Sequence, residues 1–271
     1  MGKFDGILIC TDLDGTLYKN DKSISAENRD AIEYFKREGG AFTFITGRMP
    51  YYSTDAYRAA SPNVPFGCIN GGGVYDGEGG EYIFKLELSK SVYGLVKHID
   101  ECFPDVGIQL CGFDNTYFAK ENGVTVRFRE ITGLPPLFCE YGKFSEPIGK
   151  VIFCTAKEEE IRAVESALRS HPLSSEFDFI RSERTLFEIL PKGVHKGVSI
   201  QKLADYLGIG IENTIAVGDY DNDAAMLRVA GRGIAVANAS RAALEAADIV
   251  TVSNEEHAIA RIIYDLEEGK I

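Results

Sequence analysis

The sequence predicts an α/β protein. Both chain ends build a doubly wound, Rossmann-like parallel sheet, and an α+β domain is inserted between them. Three observations predict this. Short apolar strand-like runs alternate with helix-like runs from Ile7 to Ile69. The alternation gives way to strands with few helices between about Tyr82 and Glu188, then resumes after Pro191-Lys192-Gly193. Two acidic clusters, Asp12-Leu13-Asp14 and Asp219-Tyr220-Asp221-Asn222-Asp223, each follow directly on an apolar run. Strand–helix–strand repetition with short connections implies right-handed crossovers and a parallel sheet, whose C-terminal edge is where ligands bind.

Taken in order, Ile7–Thr11 is a buried strand, and Ser25 caps a helix that runs to about Arg37 with Ala31, Ile32 and Phe35 on one face. Gly39-Gly40 stop it, and Ala41–Ile45 is a second strand ending at Thr46-Gly47-Arg48. A helix over Tyr51–Ala60 and a strand over Phe66–Ile69, ending at Asn70-Gly71-Gly72-Gly73, complete this half. In the insert, strands are expected at Ile108–Cys111, Thr116–Ala119, Val151–Cys154, Phe177–Ile180 and Leu186–Ile189, with two helices, Ser91–Glu101 and Glu158–Leu168. After it come a helix over Lys196–Leu207, a strand over Thr214–Val217, a short helix at Ala224–Val229 and a strand at Gly233–Val236. A helix at Arg241–Ala246, a strand at Ile249–Val252 and a final helix near Glu255–Leu266 close the chain. The domains are therefore 1–81 with 190–271, and 82–189.

At 271 residues, 45% apolar and 26% charged, the chain has the composition of a soluble globular protein with a substantial core. A net charge of −12 argues against nucleic acid or an anionic membrane as partner, since both want a basic face, but leaves room for a phosphorylated substrate in a local cationic pocket. No run approaches the roughly 20 apolar residues of a membrane helix, and the opening Met1-Gly2-Lys3-Phe4-Asp5 does not read as a signal peptide. The six cysteines show no Cys-x-x-Cys pair and the four histidines no ligand spacing, so reduced thiols and a cytoplasmic location are expected. A monomer or weak homodimer is expected.

The chemistry sits at the strand ends. Asp12 and Asp14 repel each other and are costly to desolvate together without a cation or a shared proton, and Gly15 gives the chain a sharp exit. Asp219 and its acidic neighbours end a second strand. Two such clusters at one sheet edge can converge on a hard cation with oxygen ligands, for which Mg²⁺ is the natural candidate. Thr46 offers a hydroxyl and Gly47 an unshielded amide, a combination suited to an anionic oxygen. Lys196, opening a helix, would neutralise a phosphate at the same edge.

In this order, Asp12-Leu13-Asp14-Gly15-Thr16, Ile45-Thr46-Gly47-Arg48, Lys196-Gly197 and Gly218-Asp219-x-x-Asn222-Asp223-x-x-Met226, the chain resembles the haloacid dehalogenase superfamily over essentially its whole length. The insert, re-entered through Glu188-Ile189-Leu190-Pro191-x-Gly193-Val194-x-Lys196-Gly197, looks like the α/β cap of the Cof-type phosphatases, subclass IIB. The resemblance implies a Mg²⁺-dependent phosphatase acting on small phosphorylated metabolites, sugar phosphates first among them, through an aspartyl-phosphate. Asp12 would be the nucleophile and Asp14 the general acid and base. Asp12, the Asp14 main-chain carbonyl and Asp219 would hold Mg²⁺, with Asp223 behind or beside them. Thr46, the Gly47 and Leu13 amides, Lys196 and Asn222 would hold phosphate oxygens. Two departures from that subfamily, Asn70-Gly71-Gly72-Gly73 for Asn-Gly-Ala and the lack of Met-Gly before Asn238-Ala239, touch no catalytic position.

Two other functions fit parts of the pattern. A phosphomutase or other phosphotransferase of the superfamily shares all four motifs and differs in passing the phosphoryl group to a second hydroxyl. A non-enzymatic phospho-acceptor module also gathers Asp, Thr and Lys around Mg²⁺, but needs neither a second acid two residues after the first nor a large insert. Within the insert, Asp114, Tyr117, Arg127 and Arg181 are candidates to touch the leaving group.

Overall fold

The computed structural model describes residues 2–271. The chain divides into two units, one made of Met1–Phe84 with His195–Ile271 and the other of Lys85–Val194. The divisions between the two units fall at Phe84/Lys85 and Val194/His195. The strand Glu81–Lys85 lies in the first unit up to Phe84, whereas the strand ending at Pro191 is paired to Phe177 in the second.

The first unit carries β1 (Leu8–Thr11), α1 (Ala26–Arg37), β2 (Ala41–Phe44), α2 (Thr54–Ala60), β3 (Phe66–Cys68), β4 (Gly73–Asp76) and β5 (Glu81–Lys85). The second unit contributes α3 (Val92–Cys102), β6 (Gly107–Gly112), β7 (Thr116–Lys120), α4 (Gly123–Thr132), β8 (Ile148–Cys154), α5 (Glu158–Ser170), β9 (Phe177–Glu183) and β10 (Leu186–Pro191). The chain then returns to the first through α6 (Lys196–Leu207), β11 (Thr214–Gly218), α7 (Ala224–Val229), β12 (Arg232–Ala235), α8 (Arg241–Ala246), β13 (Ile249–Val250) and α9 (Ala258–Glu267).

The first unit's main sheet is parallel, in the order β13-β12-β11-β1-β2. Its central strands β1 and β11 are apolar and wholly buried, as strands covered on both faces must be. Alternate sheet residues Leu8, Cys10, Ala216 and Ala235 share a core with Ile200 and Leu203 of α6, Met226 and Leu227 of α7 and Ala243 of α8. Ser25 caps α1 through the Asn28 amide, and the buried Asn28 side chain takes the Ala260 N–H at 3.0 Å, tying α1 to α9.

Register decides what meets at the sheet's C-terminal edge. Thr11 lies beside Val217 on one side and Phe44 on the other, so the next residues of all three strands emerge together. The Asp12 N–H donates to the Val217 carbonyl at 2.8 Å and the Ile45 N–H to Thr11 at 2.9 Å. The chain leaves β1 in opposite directions along the sheet, toward β2 and toward β11, which is the topological switch point where open α/β sheets bind ligands.

The second unit is an antiparallel sheet, β7-β6-β8-β10-β9, with α3 and α5 burying Leu95, Val96, Ile99, Ile161, Val164 and Leu168 against Ile108, Leu110, Val151, Phe153, Phe187 and Ile189. Three local expectations need correction. The insert holds a third helix, α4. Its Val- and Thr-rich sequence hides helical periodicity, but Asn122 and Gly133 mark its ends as a side-chain cap and a left-handed C-cap. The strand at Phe66 does not extend the main sheet. It heads a separate sheet, β3-β4-β5, and touches the main one through the Ile45–Gly67 bridge. The helix expected from Tyr51 begins as a single 3-10 turn at Pro50–Tyr52, because α2 itself starts at Thr54.

Candidate active site

Asp12, Asp219 and Asp223 each place a carboxylate oxygen within 4.8 Å of the others. Asp12 is 8% exposed and Asp223 fully buried, so solvent does little to separate their charges. At an effective dielectric of about 20, two like charges at such a distance repel by roughly 3.5 kcal/mol. One cation answers this repulsion. The Lys196 ammonium donates at 2.6 Å to Asp12 Oδ1 and at 2.6 Å to Asp223 Oδ1. Burial works against its charge, yet Asp12 and Asp223 outweigh burial and hold Lys196 above the ordinary lysine value. The compensation is incomplete. Burial pushes Asp12 up despite Lys196, and burial with the neighbouring Asp223 pushes Asp219 up to about 6 against the Thr16 hydrogen bond.

Three carboxylates against one ammonium leave a surplus of negative charge, and the donors around them leave room for a cation. Asp223 is spent: Oδ1 takes Lys196, and Oδ2 accepts the Asp219 N–H at 3.0 Å and the Tyr220 N–H at 2.9 Å. Asp12 and Asp219 are not. Asp219 Oδ1 accepts the Thr16 hydroxyl at 2.7 Å, and the second oxygen of each residue meets no donor among the described residues. Gly15, at φ +85°, passes so close to Asp219 that a Cβ there would collide with its carboxylate. Hard oxygen ligands crowded on one sheet edge suit a small divalent cation.

Asp14 lies apart from this trio. Its side chain is 42% exposed and holds an ion pair on each oxygen, with Lys22 Nζ at 2.8 Å from Oδ1 and Arg48 Nη2 at 2.8 Å from Oδ2. Burial opposes its ionisation, but these two cations prevail and hold the carboxyl below its usual range. Leu13, between the two acids, is buried and offers its carbonyl to the Tyr18 N–H at 2.8 Å.

The expected phosphate ligands come to the same unit. Thr46, 4% exposed, follows β2 and accepts the Arg48 N–H on its hydroxyl at 3.2 Å. A Cβ on Gly47 would come within 2.9 Å of Asn70 Oδ1, so this stretch of main chain is bare by necessity. Asn222 donates from Nδ2 to Asn70 Oδ1 at 3.2 Å. Lys22, Arg48, Thr16 and Asn70 are site residues that the sequence does not single out. Thr16 and Arg48 lie inside the strand-end motifs Asp12–Thr16 and Ile45–Arg48, and Asn70 follows a strand, which is its available signal. Lys22 carried none.

The four insert candidates do not gather. Tyr117 donates to Glu146 at 2.7 Å, Arg181 pairs with Glu158 at 3.5 Å, and Asp114 is exposed in the turn between β6 and β7. Arg127 alone lines a cavity, of about 670 Å³, with Asn122, Val124, Phe128, Lys157 and Leu186, and it has no ion pair among the described residues.

Residues 9–263 match the family of haloacid dehalogenase-like hydrolases. The chain is 32% identical over 265 residues, 94% of its length and 96% of the relative's, to the 5-amino-6-(5-phospho-D-ribitylamino)uracil phosphatase YitU of Bacillus subtilis. It is 30% identical over 97% of its length to the phosphatase YwtE of the same name and organism, covering 98% of that protein. Among solved structures, a haloacid dehalogenase-like hydrolase from Bacteroides thetaiotaomicron superimposes with a TM-score of 0.82 at 24% identity, covering 96% of this chain and 99% of the other. A subclass IIB sugar phosphatase of the superfamily does so at 0.80 and 21%, over 96% of this chain and 98% of the other; both likenesses concern the fold. The chain belongs to the haloacid dehalogenase superfamily as a Cof-type hydrolase and is a phosphatase. No helix among the described residues is long and apolar enough to cross a membrane.

Proposed function

We propose that this phosphatase hydrolyses small phosphate monoesters, those of sugars and sugar alcohols first, through an aspartyl-phosphate on Asp12 with Mg²⁺ as cofactor. The observation that carries the proposal is the unbalanced trio Asp12, Asp219 and Asp223 around Lys196 at the switch point of the sheet.

Asp12, the Asp14 main-chain carbonyl and Asp219 would hold the ion, with Asp223 bracing Lys196 and the Asp219 main chain from behind. Mg²⁺, when bound, supplies positive charge to a phosphate oxygen and offsets the repulsion between phosphate and carboxylates. Thr46, Gly47, Leu13, Lys196 and Asn222 hold the remaining oxygens, so that most of the catalysis is positioning and charge stabilisation. An Asp12 oxygen attacks phosphorus as the bond to the leaving oxygen breaks, and Asp14 gives that oxygen a proton. Asp14 then takes a proton from water, which attacks phosphorus and releases Asp12. The Lys22 and Arg48 pairs keep Asp14 ionised, which suits the second step; the first requires Asp14 to leave them and carry a proton.

The inserted unit would supply recognition of the leaving group, with Arg127 as the candidate to be tested; its cavity is lined by Asp105, Glu160 and Glu183 as well as by apolar residues. Because two relatives bear the name of a ribitylaminouracil phosphatase, that ester leads the substrates to be tried. The test is a panel of sugar phosphates, polyol phosphates and p-nitrophenyl phosphate, assayed with Mg²⁺ and with chelator, plus acid-quenched capture of phosphoryl-Asp12. Full activity in chelator would defeat the cofactor assignment. Transfer to an added hydroxyl in preference to water would favour a phosphotransferase.

A further inference from the structure

We propose that Asn70 is a positioning residue for the phosphate ligands, and that the buried turn Ile69–Gly72 sets the relative placement of the three chain segments that carry them. The proposal rests on the reading of the site given above. Asn70 has no solvent exposure and no charge, and it belongs to none of the four motifs. Its surroundings single it out.

The turn is strained. Ile69 and Asn70 are consecutive residues with φ of +56° and +52°. Asn tolerates the left-handed region, but a β-branched residue there is a genuine outlier, held only when its surroundings dictate it. The surroundings are the phosphate-binding segments. The Asn70 N–H donates to the Thr46 carbonyl at 3.1 Å and the Ile69 N–H to the Arg48 carbonyl at 3.0 Å, so the turn is stitched to the loop bearing Thr46 and Gly47. On the side-chain side, Oδ1 of Asn70 receives Nδ2 of Asn222 at 3.2 Å. One residue further, Gly71 (φ +101°) runs so close to His195 that a Cβ would strike its carbonyl, directly before Lys196.

One turn therefore touches the segments of Thr46 and Gly47, of Asn222 and of Lys196. Its consequence for Asn222 is specific. An amide is planar, so spending one N–H on Asn70 fixes the plane of the group and with it the aim of the other N–H. The same Asn70 amide lies against the bare main chain of Gly47 and fixes how close that segment approaches. Supporting groups of this kind convert ligands that are merely present into ligands held in productive geometry.

The experiment uses Asn70→Gly, which keeps the left-handed backbone accessible while deleting the amide, with inorganic phosphate as the probe. We expect the inhibition constant of phosphate to rise about tenfold or more and kcat with p-nitrophenyl phosphate to fall. The melting temperature and its rise on adding Mg²⁺ should stay close to the parent's, which a purely structural role would not allow. Asn222→Ala should weaken phosphate similarly, and Asn70→Gly added to it should cost less than a further twofold, because the two act as one unit. Parent-like phosphate inhibition in Asn70→Gly, or fully multiplicative losses in the double variant, would overturn the proposal. Should Asn70→Gly fail to fold, Asn70→Asp retains the shape and adds a negative charge beside the anion. Weaker phosphate inhibition in it supports the placement, and unchanged inhibition refutes it. A parent enzyme that neither hydrolyses p-nitrophenyl phosphate with Mg²⁺ nor is inhibited by phosphate would overturn the reading of the whole site, and this proposal with it.

Discussion

Each unit buries a lysine among carboxylates, and the two lysines do different things. In the inserted unit, Lys150 and Glu188 meet at 3.0 Å across β8 and β10, 2% and 3% exposed. In the other unit, Lys196 is equally buried but faces Asp12 and Asp223 at 2.6 Å each, with Asp219 alongside. The first arrangement sets an ammonium directly against a carboxylate in mid-strand. The second has charge left over, and it lies at the open end of a parallel sheet rather than in mid-strand. A balanced buried pair is a feature of a fold; an unbalanced one at a sheet edge asks for a ligand.

The largest effect is expected from Asp12→Asn, which removes the proposed nucleophile and one proposed cation ligand. Steady-state assays should show kcat reduced by more than about 10³-fold with the fold intact by circular dichroism. Residual activity within tenfold of the parent would remove Asp12 as nucleophile.

Next come the lysines themselves. Lys150→Met takes the ammonium away from the buried Glu188 and should cost about 3–5 kcal/mol in chemical denaturation, whereas Lys150→Met with Glu188→Leu should recover most of it. Lys196→Met should also destabilise the protein in chelator. Here Mg²⁺ should restore much of the loss, because the deficit is positive charge at a site open to it. If Mg²⁺ rescues both variants or neither, the contrast drawn between the two lysines is wrong.

A smaller effect concerns the ion alone. Mg²⁺ at a hundredfold excess over its Kd should stabilise the parent by about 2.7 kcal/mol, seen as a rise in Tm, and Asp219→Ala should abolish the rise. Smallest is Arg127→Ala in the inserted unit. It should leave the Mg²⁺ effect untouched and shift kcat/KM among substrates unequally, by about tenfold for those whose leaving group it contacts. A uniform change across substrates would place Arg127 outside recognition.

Much of the first unit was legible in the sequence, because its strands are apolar runs that end abruptly in Asp, Thr or Gly-Asp. The insert was less so. The helix α4 was missed where Val124, Thr125 and Val126 mask the periodicity, although Asn122 and Gly133 announced its limits. The residues now placed around Asp14 and Asn222 were legible only in part. Lys22 reaches Asp14 through a turn with φ +65°, and Asn70 meets Asn222 across 152 positions of chain. Neither contact leaves a periodic trace.

By itself, the sequence determined the alternation of elements, the interruption of one domain by another and the identity of the groups at the strand ends. These are local properties, written in hydrophobic pattern and turn chemistry. Tertiary structure alone decided which of those groups share charge. Lys196 reaches Asp12 across 184 positions because parallel register brings the ends of β1 and β11 together and α6 begins beside them. The same register left Asp14 outside the trio, in the hands of Lys22 and Arg48. Coulomb energy depends on distance and burial, and neither is fixed until the chain has folded.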